Sequence, residues 1–217
     1  MNKRYITVVS AFAPIQEIPD ETRKKLRKNF KPLAARRLTT LPLLLGELTQ
    51  SAAPQPTDEW VFASEFGGSI SLENYLNSFP NPSPLHFQNS IQPGPIDLVN
   101  VARGQAANQL TPIVGGEHLL GDALLTAMIS PAKTVHLVGG EEFTAWAATH
   151  GLGADDSFGF YLKICPSEES AVAELTLEPQ AGDTPPLTIR EAAVRLDKRE
   201  SLATALSNGG LIRLQWR

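Results

Sequence analysis

The sequence of 217 residues predicts an α/β layered fold with a mixed, mainly parallel sheet. Two observations support this prediction. Strand patterns alternate with helix patterns along residues 1–150, and these strands are apolar runs of the kind that parallel sheets bury. After residue 150, strand patterns follow one another closely, which would add antiparallel edges.

The first four elements alternate between strand and helix patterns. Tyr5–Phe12 is β-branched and aromatic and predicts a strand. Asp20 is a suitable start for a helix whose later turns are basic. Leu38–Leu48 predicts an apolar helix with Pro42 near its start, and Glu59–Gly68 predicts a buried strand that ends in a diglycine turn.

The middle of the chain contains the most informative stretch. After a short helix capped by Ser71, five prolines in residues 80–95 predict a long irregular loop. Asp97–Ala107 fits a helix capped by Asp97. The stretch "TPIVGGEHLLGDALL", Thr111–Leu125, then predicts a strand, a sharp turn and a helix, and Lys133–Phe143 predicts another strand that ends in Gly-Gly.

The last part of the chain predicts strands, one helix and a closing strand. "SFGFYLKICP" and "SAVAELTLEPQ" are strand patterns. "LTIREAAVRLDKRESLATALSNGG" predicts an amphipathic helix that ends at Asn-Gly-Gly. "LIRLQWR" predicts a short alternating strand.

Composition excludes several classes of protein. A net charge of −4 argues against a general nucleic-acid binder, which normally carries a basic face. The single cysteine, Cys165, cannot form an intramolecular disulfide, so nothing indicates an oxidising compartment. No run approaches the ~18–20 apolar residues of a membrane span. We therefore expect a cytoplasmic protein without a membrane span.

Known cofactor and metal motifs are missing from the sequence. It contains no Walker loop, no GxGxxG, no CxxC and no HExxH. His86, His136 and His150 lack the spacing of metal ligands, and Cys165 lies in an apolar context typical of a core residue. We expect neither a cofactor nor a metal.

The turn in the stretch from Thr111 to Leu125 raises the question of chemistry. Strand, sharp turn and helix is the layout with which enzymes present a nucleophile, but Gly116, Glu117 and His118 include no Ser or Cys. A carboxylate at the start of a helix is stabilised by the positive end of the helix dipole. Glu117 is therefore either an electrostatic cap or a general base or nucleophile. The second role needs a proton donor that the sequence does not supply.

A dense basic cluster follows the first predicted strand. It fits a solvated helix face or a docking surface for an acidic partner. The cluster consists of Arg23, Lys24, Lys25, Arg27, Lys28 and Lys31.

Four segments, read in order, resemble the N-terminal half of a β-ketoacyl synthase. They are "ARRLTTLPLLLGEL", "WVFASEFGG", "SPLHFQNSIQPGPIDLVNVARGQ" and "TPIVGGEHLLGDALL". The "FQNS" loop and the acidic residue after the diglycine turn are similar to a short subgroup, the ketosynthase-like chain-length factors. These are encoded beside type II polyketide-like systems, including those that make aryl polyene pigments. The resemblance covers roughly residues 1–178.

This resemblance implies a truncated thiolase-like fold in a single domain, residues 1–217. Residues 1–150 correspond to the N-terminal-half core, and residues 151–217 to a shortened C-terminal part. Glu117 aligns with the acyl-accepting cysteine, and a carboxylate is a far poorer acyl acceptor than a thiolate. No histidine follows "AELTLEP", although the family uses two histidines from its second half. No catalytic residue is therefore expected.

The resemblance implies a non-catalytic subunit that forms a heterodimer with an active β-ketoacyl-ACP synthase and helps to shape its acyl tunnel. The pathway would be polyketide, aryl polyene or fatty-acid-like biosynthesis, and a homodimer stays open. In the family, the strand before the nucleophile pairs with its copy across the dimer axis. The corresponding strand in this sequence is "LTPIV", residues 110–114. The residues expected at the partner interface or tunnel are Phe87, Asn89, Leu110, Thr111, Ile113, Val114, Gly116, Glu117, His118, Leu119 and Leu120.

Two other functions remain open at this stage. The first is an acyl-thioester hydrolase or decarboxylase that uses Glu117 with His118. The second is an acyl-carrier-protein-binding module, because carrier proteins are acidic. Its candidate docking residues are Arg23, Lys24, Arg27 and Lys28.

Overall fold

The computed structural model describes residues 3–217, in which the strands form one mixed eight-stranded sheet. The strands are β1 (Lys3–Ile15), β2 (Glu59–Ser64), β3 (Gln109–Val114), β4 (Val135–Glu141), β5 (Ser157–Cys165), β6 (Ala173–Glu178), β7 (Leu202–Ala205) and β8 (Leu211–Trp216). The helices are α1 (Asp20–Arg27), α2 (Pro32–Ala35), α3 (Thr40–Leu48), α4 (Ser69–Asn77), α5 (Pro84–Ser90), α6 (Gly94–Arg103), α7 (Leu119–Ile129), α8 (Ala145–Thr149) and α9 (Ile189–Asp197).

The sheet is parallel at one end and antiparallel across the rest. The strand order is β3-β2-β4-β5-β1-β6-β8-β7, and β2 pairs in parallel with β3 and β4. The other five neighbouring pairs within residues 3–217 are antiparallel. The mixed α/β fold is confirmed, but the expectation that the sheet is mainly parallel is wrong. An apolar run in the sequence indicates that both faces of a strand are buried, but it does not indicate the direction of the neighbouring strands. β5 is an example, because it is almost fully buried although both of its neighbours are antiparallel to it.

Helices cover both faces of the sheet and create two apolar cores. Alternate residues of β2 point into opposite cores: Val61 packs with α7, and Trp60 packs with α3 and α6. The same alternation continues in β5, where Phe160 belongs to the first core and Tyr161 to the second. This three-layer arrangement buries the central strands and places α7 directly beneath β2 and β4.

Two of the five prolines in residues 80–95 stand in the first turns of helices α5 and α6, so the predicted long irregular loop is wrong. Pro84 stands in the first turn of α5, where a missing N–H leaves no hydrogen bond unmade. The Ser83 side chain caps this helix by accepting a hydrogen bond from His86 N. Pro95 has the same place in α6, so Asp97 lies in the first turn and is not the cap. Similarly, Ser71 lies inside α4, which begins at Ser69.

The amphipathic stretch after residue 186 contains a helix and a strand, not one helix. A capping box between Thr188 and Glu191 begins α9, which ends at Asp197. The residues "LATA" then form β7, because they pair with β8 along the edge of the sheet. Leucine and alanine favour helices locally, so only this long-range pairing selects the strand.

Candidate functional site

The carboxyl ends of β3, β2 and β4 meet at one edge of the sheet and define the candidate site. These strands are parallel and in register, with Ser64 beside Val114 and Ala63 beside Gly139. Ligands of α/β sheets bind outside the carboxyl ends of parallel strands. The turns that leave β3 and β2, and Glu141 with Glu142 at the end of β4, therefore surround this position.

The predicted strand, sharp turn and helix is confirmed in β3 and α7. Gly115 and Gly116 have φ values of +64° and +86°, which favour glycine and reverse the chain sharply. His118 is the N-cap residue of α7, and Glu117 precedes it as an exposed residue of the turn. No side-chain hydrogen bond caps the start of α7. Glu117 therefore acts on this helix only through its charge.

The segment between β7 and β8 covers the first turn of α7. His118 Nδ1 lies 3.3 Å from the carbonyl oxygen of Ala205, and Ser207 Oγ donates a hydrogen bond of 2.8 Å to the Asp122 carboxylate. A Cβ on Gly121 would lie 2.6 Å from the same Ala205 oxygen, so glycine permits this close approach. The C-terminal segment thus places a backbone carbonyl and a hydroxyl beside α7. Sequence reasoning missed this contact because it predicted helix there.

The strand β3 lies at the edge of the sheet, beyond β2. Leu110, Thr111 and Ile113 are partly buried against its neighbours, and Val114 is 53% exposed. The outer edge of β3 has no strand beside it within residues 3–217. Such an edge offers backbone N–H and C=O groups to a strand of another chain.

Phe87 and Asn89 reach the candidate site through α5. Asn89 is 8% exposed, and its carbonyl oxygen would lie 2.8 Å from a Cβ on Gly68, so α5 packs directly on the turn after β2. Phe87 is 49% exposed, with its ring centroid 5.2 Å from that of Tyr75. It belongs to an exposed group of large apolar residues on and around α4 and α5, which we call the α4–α5 apolar surface: Leu76, Phe79, Leu85, Phe87 and Ile91.

The remaining expected tunnel residues, Leu119 and Leu120, point into the core. They are 5% and 1% exposed and pack in the apolar core on the α7 face of the sheet. Their side chains therefore pack in the core and do not face the surface of the turn.

Two buried carboxylates hold the candidate site together. Glu141 Oε1 accepts hydrogen bonds from Ser64 Oγ at 2.9 Å and from the backbone N–H groups of Glu65 and Phe66. Burial raises the pKa of Glu141 to about 8, although these hydrogen bonds act in the opposite direction.

The neighbouring Glu142 is equally buried and joins two helices. Its carboxylate accepts hydrogen bonds from Leu41 N at 2.8 Å, in the first turn of α3, and from Ile70 N at 2.9 Å, in the first turn of α4. Burial raises the pKa of Glu142, and the two backbone hydrogen bonds oppose this rise. Sequence reasoning assigned "GGEEF" to a strand end, and the two adjacent acidic residues after an apolar run were the signal for this role.

Asp58, His136 and Tyr161 form a buried chain of hydrogen bonds that resembles a catalytic relay. His136 Nε2 lies 3.0 Å from Asp58 Oδ2, and Nδ1 lies 2.9 Å from the Tyr161 hydroxyl. Burial lowers the pKa of His136, so the neutral ring donates to Asp58 and accepts from Tyr161. His136 is fully buried and stacks on Trp60, which gives this chain a structural role in the core.

The predicted docking residues lie on α1. Leu26 faces the core, while Lys24, Arg27 and Lys28 are exposed and Arg23 is partly buried. None of these four cations forms an ion pair with a carboxylate of residues 3–217.

Residues 3–217 contain no group of three or more His, Cys, Asp or Glu side chains that could hold a metal ion. None of their helices has the length and hydropathy required to cross a bilayer.

Comparison with known proteins identifies the fold through solved structures. No protein-family model matches the sequence, and no curated protein matches it. A chain of the ketosynthase (ApeO) in complex with its chain length factor (ApeC) from Xenorhabdus doucetiae matches with a TM-score of 0.64 and 16% identity, over 99% of both chains. The ishigamide ketosynthase/chain length factor matches with a TM-score of 0.61 and 10% identity, over 99% of this chain and 98% of that chain.

A third similar structure comes from a longer chain, which this chain covers in part. A β-ketoacyl synthase from Burkholderia phymatum STM815 matches with a TM-score of 0.54 and 11% identity, over 92% of this chain and 70% of that chain. The ketosynthase-like, thiolase-type fold implied by the sequence resemblance is therefore confirmed.

The pKa of Glu141 predicts how stability depends on pH. Its carboxyl binds a proton in the folded state up to pH about 8, but only up to about 4.5 when unfolded. The stabilisation is therefore complete below about 4.5 and is lost as pH rises towards 8. We expect the free energy of unfolding to fall between these values by up to ~1.4 kcal/mol per pH unit for this group. Urea titrations across this pH range measure it.

A Glu141→Gln variant separates Glu141 from the other titrating groups. The amide cannot ionise but keeps an acceptor oxygen, so the slope should decrease by about one proton. The control Glu169→Gln removes an exposed carboxyl and should keep the slope of the unmodified protein. Equal slopes in all three proteins would contradict the assignment.

Proposed function

We propose that this chain is a non-catalytic, chain-length-factor-like subunit that pairs with an active β-ketoacyl-ACP synthase and helps to shape its acyl tunnel. The observation that carries the proposal is the open edge of β3, the strand before the sharp turn, in a chain with this fold. The similar structures described above include ketosynthase–chain length factor complexes, which supports a ketosynthase as the partner. The corresponding pathway is polyketide, aryl polyene or fatty-acid-like biosynthesis in the cytoplasm.

The exposed apolar residues on and around α4 and α5 support pairing with a second chain. Phe87 and the other residues of the α4–α5 apolar surface belong to the part of the chain that follows β2, and β3 leads into Gly116 and Glu117 at the same end of the sheet where β2 ends. Exposed apolar groups of this size mark interaction sites. If a strand of the partner synthase pairs with β3, the acyl tunnel of that synthase would lie close to Phe87, Asn89 and the turn before α7.

The turn itself supports the absence of acyl transfer. The exposed Glu117 stands where the family has its cysteine, and a carboxylate would form a reactive anhydride instead of a thioester. Beside the first turn of α7, the C-terminal segment supplies the Ala205 carbonyl and the Ser207 hydroxyl. We propose that residues 1–217 act as one domain whose C-terminal part, residues 151–217, closes over α7.

Docking of an acyl carrier protein on α1 is a second proposal, because its cations lack partner carboxylates. We expect an acidic carrier protein to bind, and binding to weaken as salt rises, since exposed charge contacts are screened. Fluorescence titrations at increasing salt measure this. Lys24→Gln with Lys28→Gln should weaken binding further, whereas the exposed Lys198→Gln on α9 should not. Affinity that is independent of salt would contradict this docking surface.

Pairing through β3 predicts a specific effect at Val114. The substitution Val114→Lys should weaken the association of this chain with the cysteine-bearing synthase by about tenfold or more, because charged side chains at a sheet edge block the addition of a strand. Calorimetric titration of the purified synthase measures the affinity. The control Ile129→Lys places the same charge at a 67% exposed residue at the far end of α7 and should bind normally. Equal affinity of both variants would rule out β3 as the interface.

The alternative of an acyl-thioester hydrolase or decarboxylase is separated by Glu117→Gln. If the carboxylate is not catalytic, the turnover of the synthase complex should change by less than about twofold, which corresponds to about 0.4 kcal/mol in its activation free energy. The length of the product should likewise change by less than about twofold. The assay follows product formation by the co-purified complex, with Glu65→Gln as the control in the neighbouring turn. Loss of turnover with intact pairing would support chemistry at Glu117 instead.

A further inference from the structure

A cavity of about 320 Å³ lies among α1, α3, α4, α5 and the residues just before α3. Four of its lining side chains are arginines: Arg23, Arg27, Arg36 and Arg37. This volume suits a small organic ligand, since such sites begin at about 300 Å³.

The arginines of this cavity have no carboxylate bound directly to them among the described residues. None of the four arginines forms an ion pair with a carboxylate of residues 3–217, and no aspartate or glutamate is among the residues that line the cavity. Arginine remains charged at any physiological pH. This concentration of positive charge in one cavity is unexpected in a chain of net charge −4, and it favours binding of an anion.

Arg23 shows that part of this donor capacity is both oriented and unused. Its Nη2 donates a hydrogen bond of 3.1 Å to Thr40 Oγ1, which fixes the guanidinium at the cavity wall. Its Nε is buried and has no hydrogen-bond partner among the described residues. The neighbouring Glu142 accepts hydrogen bonds from Leu41 N and Ile70 N. Against the rise that burial causes, the charge of Arg23 lowers the pKa of Glu142 from a distance, but the two side chains form no ion pair, so the Arg23 Nε stays free to bind a ligand. A buried donor without a partner is costly, and a ligand oxygen would satisfy it.

The other walls indicate the rest of the ligand. Leu38, Leu43, Ile70 and Leu85 form an aliphatic wall, and Asn74, His86 and Asn89 add polar groups. An inorganic anion would leave this apolar wall uncovered, whereas an organic group joined to the anion would cover it.

We propose that this cavity binds a phosphate monoester of a small organic molecule. Guanidinium groups bind phosphate oxygens through pairs of parallel hydrogen bonds, and a phosphate dianion offers more charge and more acceptor oxygens than a carboxylate. The phosphate would contact the arginines, and the organic part would lie against the leucines and Ile70. This site does not depend on pairing with a synthase.

Calorimetric titration of the full chain with butyl phosphate, inorganic phosphate and pentanoate at constant ionic strength tests the proposal. Butyl phosphate should bind several-fold more tightly than inorganic phosphate, because it adds buried CH₂ groups, and more tightly than pentanoate, because it carries the dianion. Arg36→Gln and Arg37→Gln replace exposed residues, so both variants should fold, and each should weaken butyl phosphate binding by about tenfold.

The control Lys25→Gln removes one charge from α1 at a residue that does not line the cavity, and should change the affinity by less than about twofold. Equal losses for Lys25→Gln and Arg36→Gln would mean non-specific attraction and would overturn the site. Absence of butyl phosphate binding would overturn it as well, as would equal affinity for pentanoate or for inorganic phosphate.

Discussion

The adjacent carboxylates of Glu141 and Glu142 tie the functional edge of this fold together. They leave the end of β4 and bind backbone N–H groups of three other segments: the turn after β2 and the first turns of α3 and α4. Buried N–H groups need partners, and helix starts supply several that the helix itself cannot satisfy. Glu142 therefore anchors the first turn of α4, against which α5 packs, and Glu141 anchors the turn that leads into it. Burial keeps the pKa of both carboxyls high.

On this fixed edge, the turn before α7 has the layout with which enzymes present a nucleophile, but it carries Glu117 and His118 and no serine or cysteine. The turn before α7 keeps two glycines in the left-handed region, which is the sharp reversal that exposes a nucleophile in related geometries. Glu117 occupies the exposed position. The segment after β7 closes over α7 with a carbonyl and a hydroxyl. The open edge of β3 and the α4–α5 apolar surface are then the features that need an explanation, and the proposed pairing with a second chain would explain both.

Local sequence signals predicted most strands and the strand–turn–helix unit, because apolar runs and paired glycines encode them directly. They failed where distant contacts decide the structure. Gly139 and Gly140 were expected to end a strand but lie inside β4, where Cβ atoms would be 2.5 Å from the Phe160 ring and 2.4 Å from the Phe158 oxygen. β7 depends on pairing with β8. The arginine cavity joins α1 to Arg36 and Arg37 and to two helices about fifty residues further on, which no local pattern indicates.

Hydrogen–deuterium exchange of the backbone amides tests the central claim of pairing through β3 most directly. The chain is compared alone and after saturation with the cysteine-bearing synthase. Amides of an unpaired edge exchange quickly, and pairing protects them. Pairing through β3 predicts slower exchange, by about tenfold or more, at those amides of residues 109–114 that face the outer edge and do not bond to β2; Pro112 has no amide. Unchanged exchange in β3 together with protection elsewhere would contradict it.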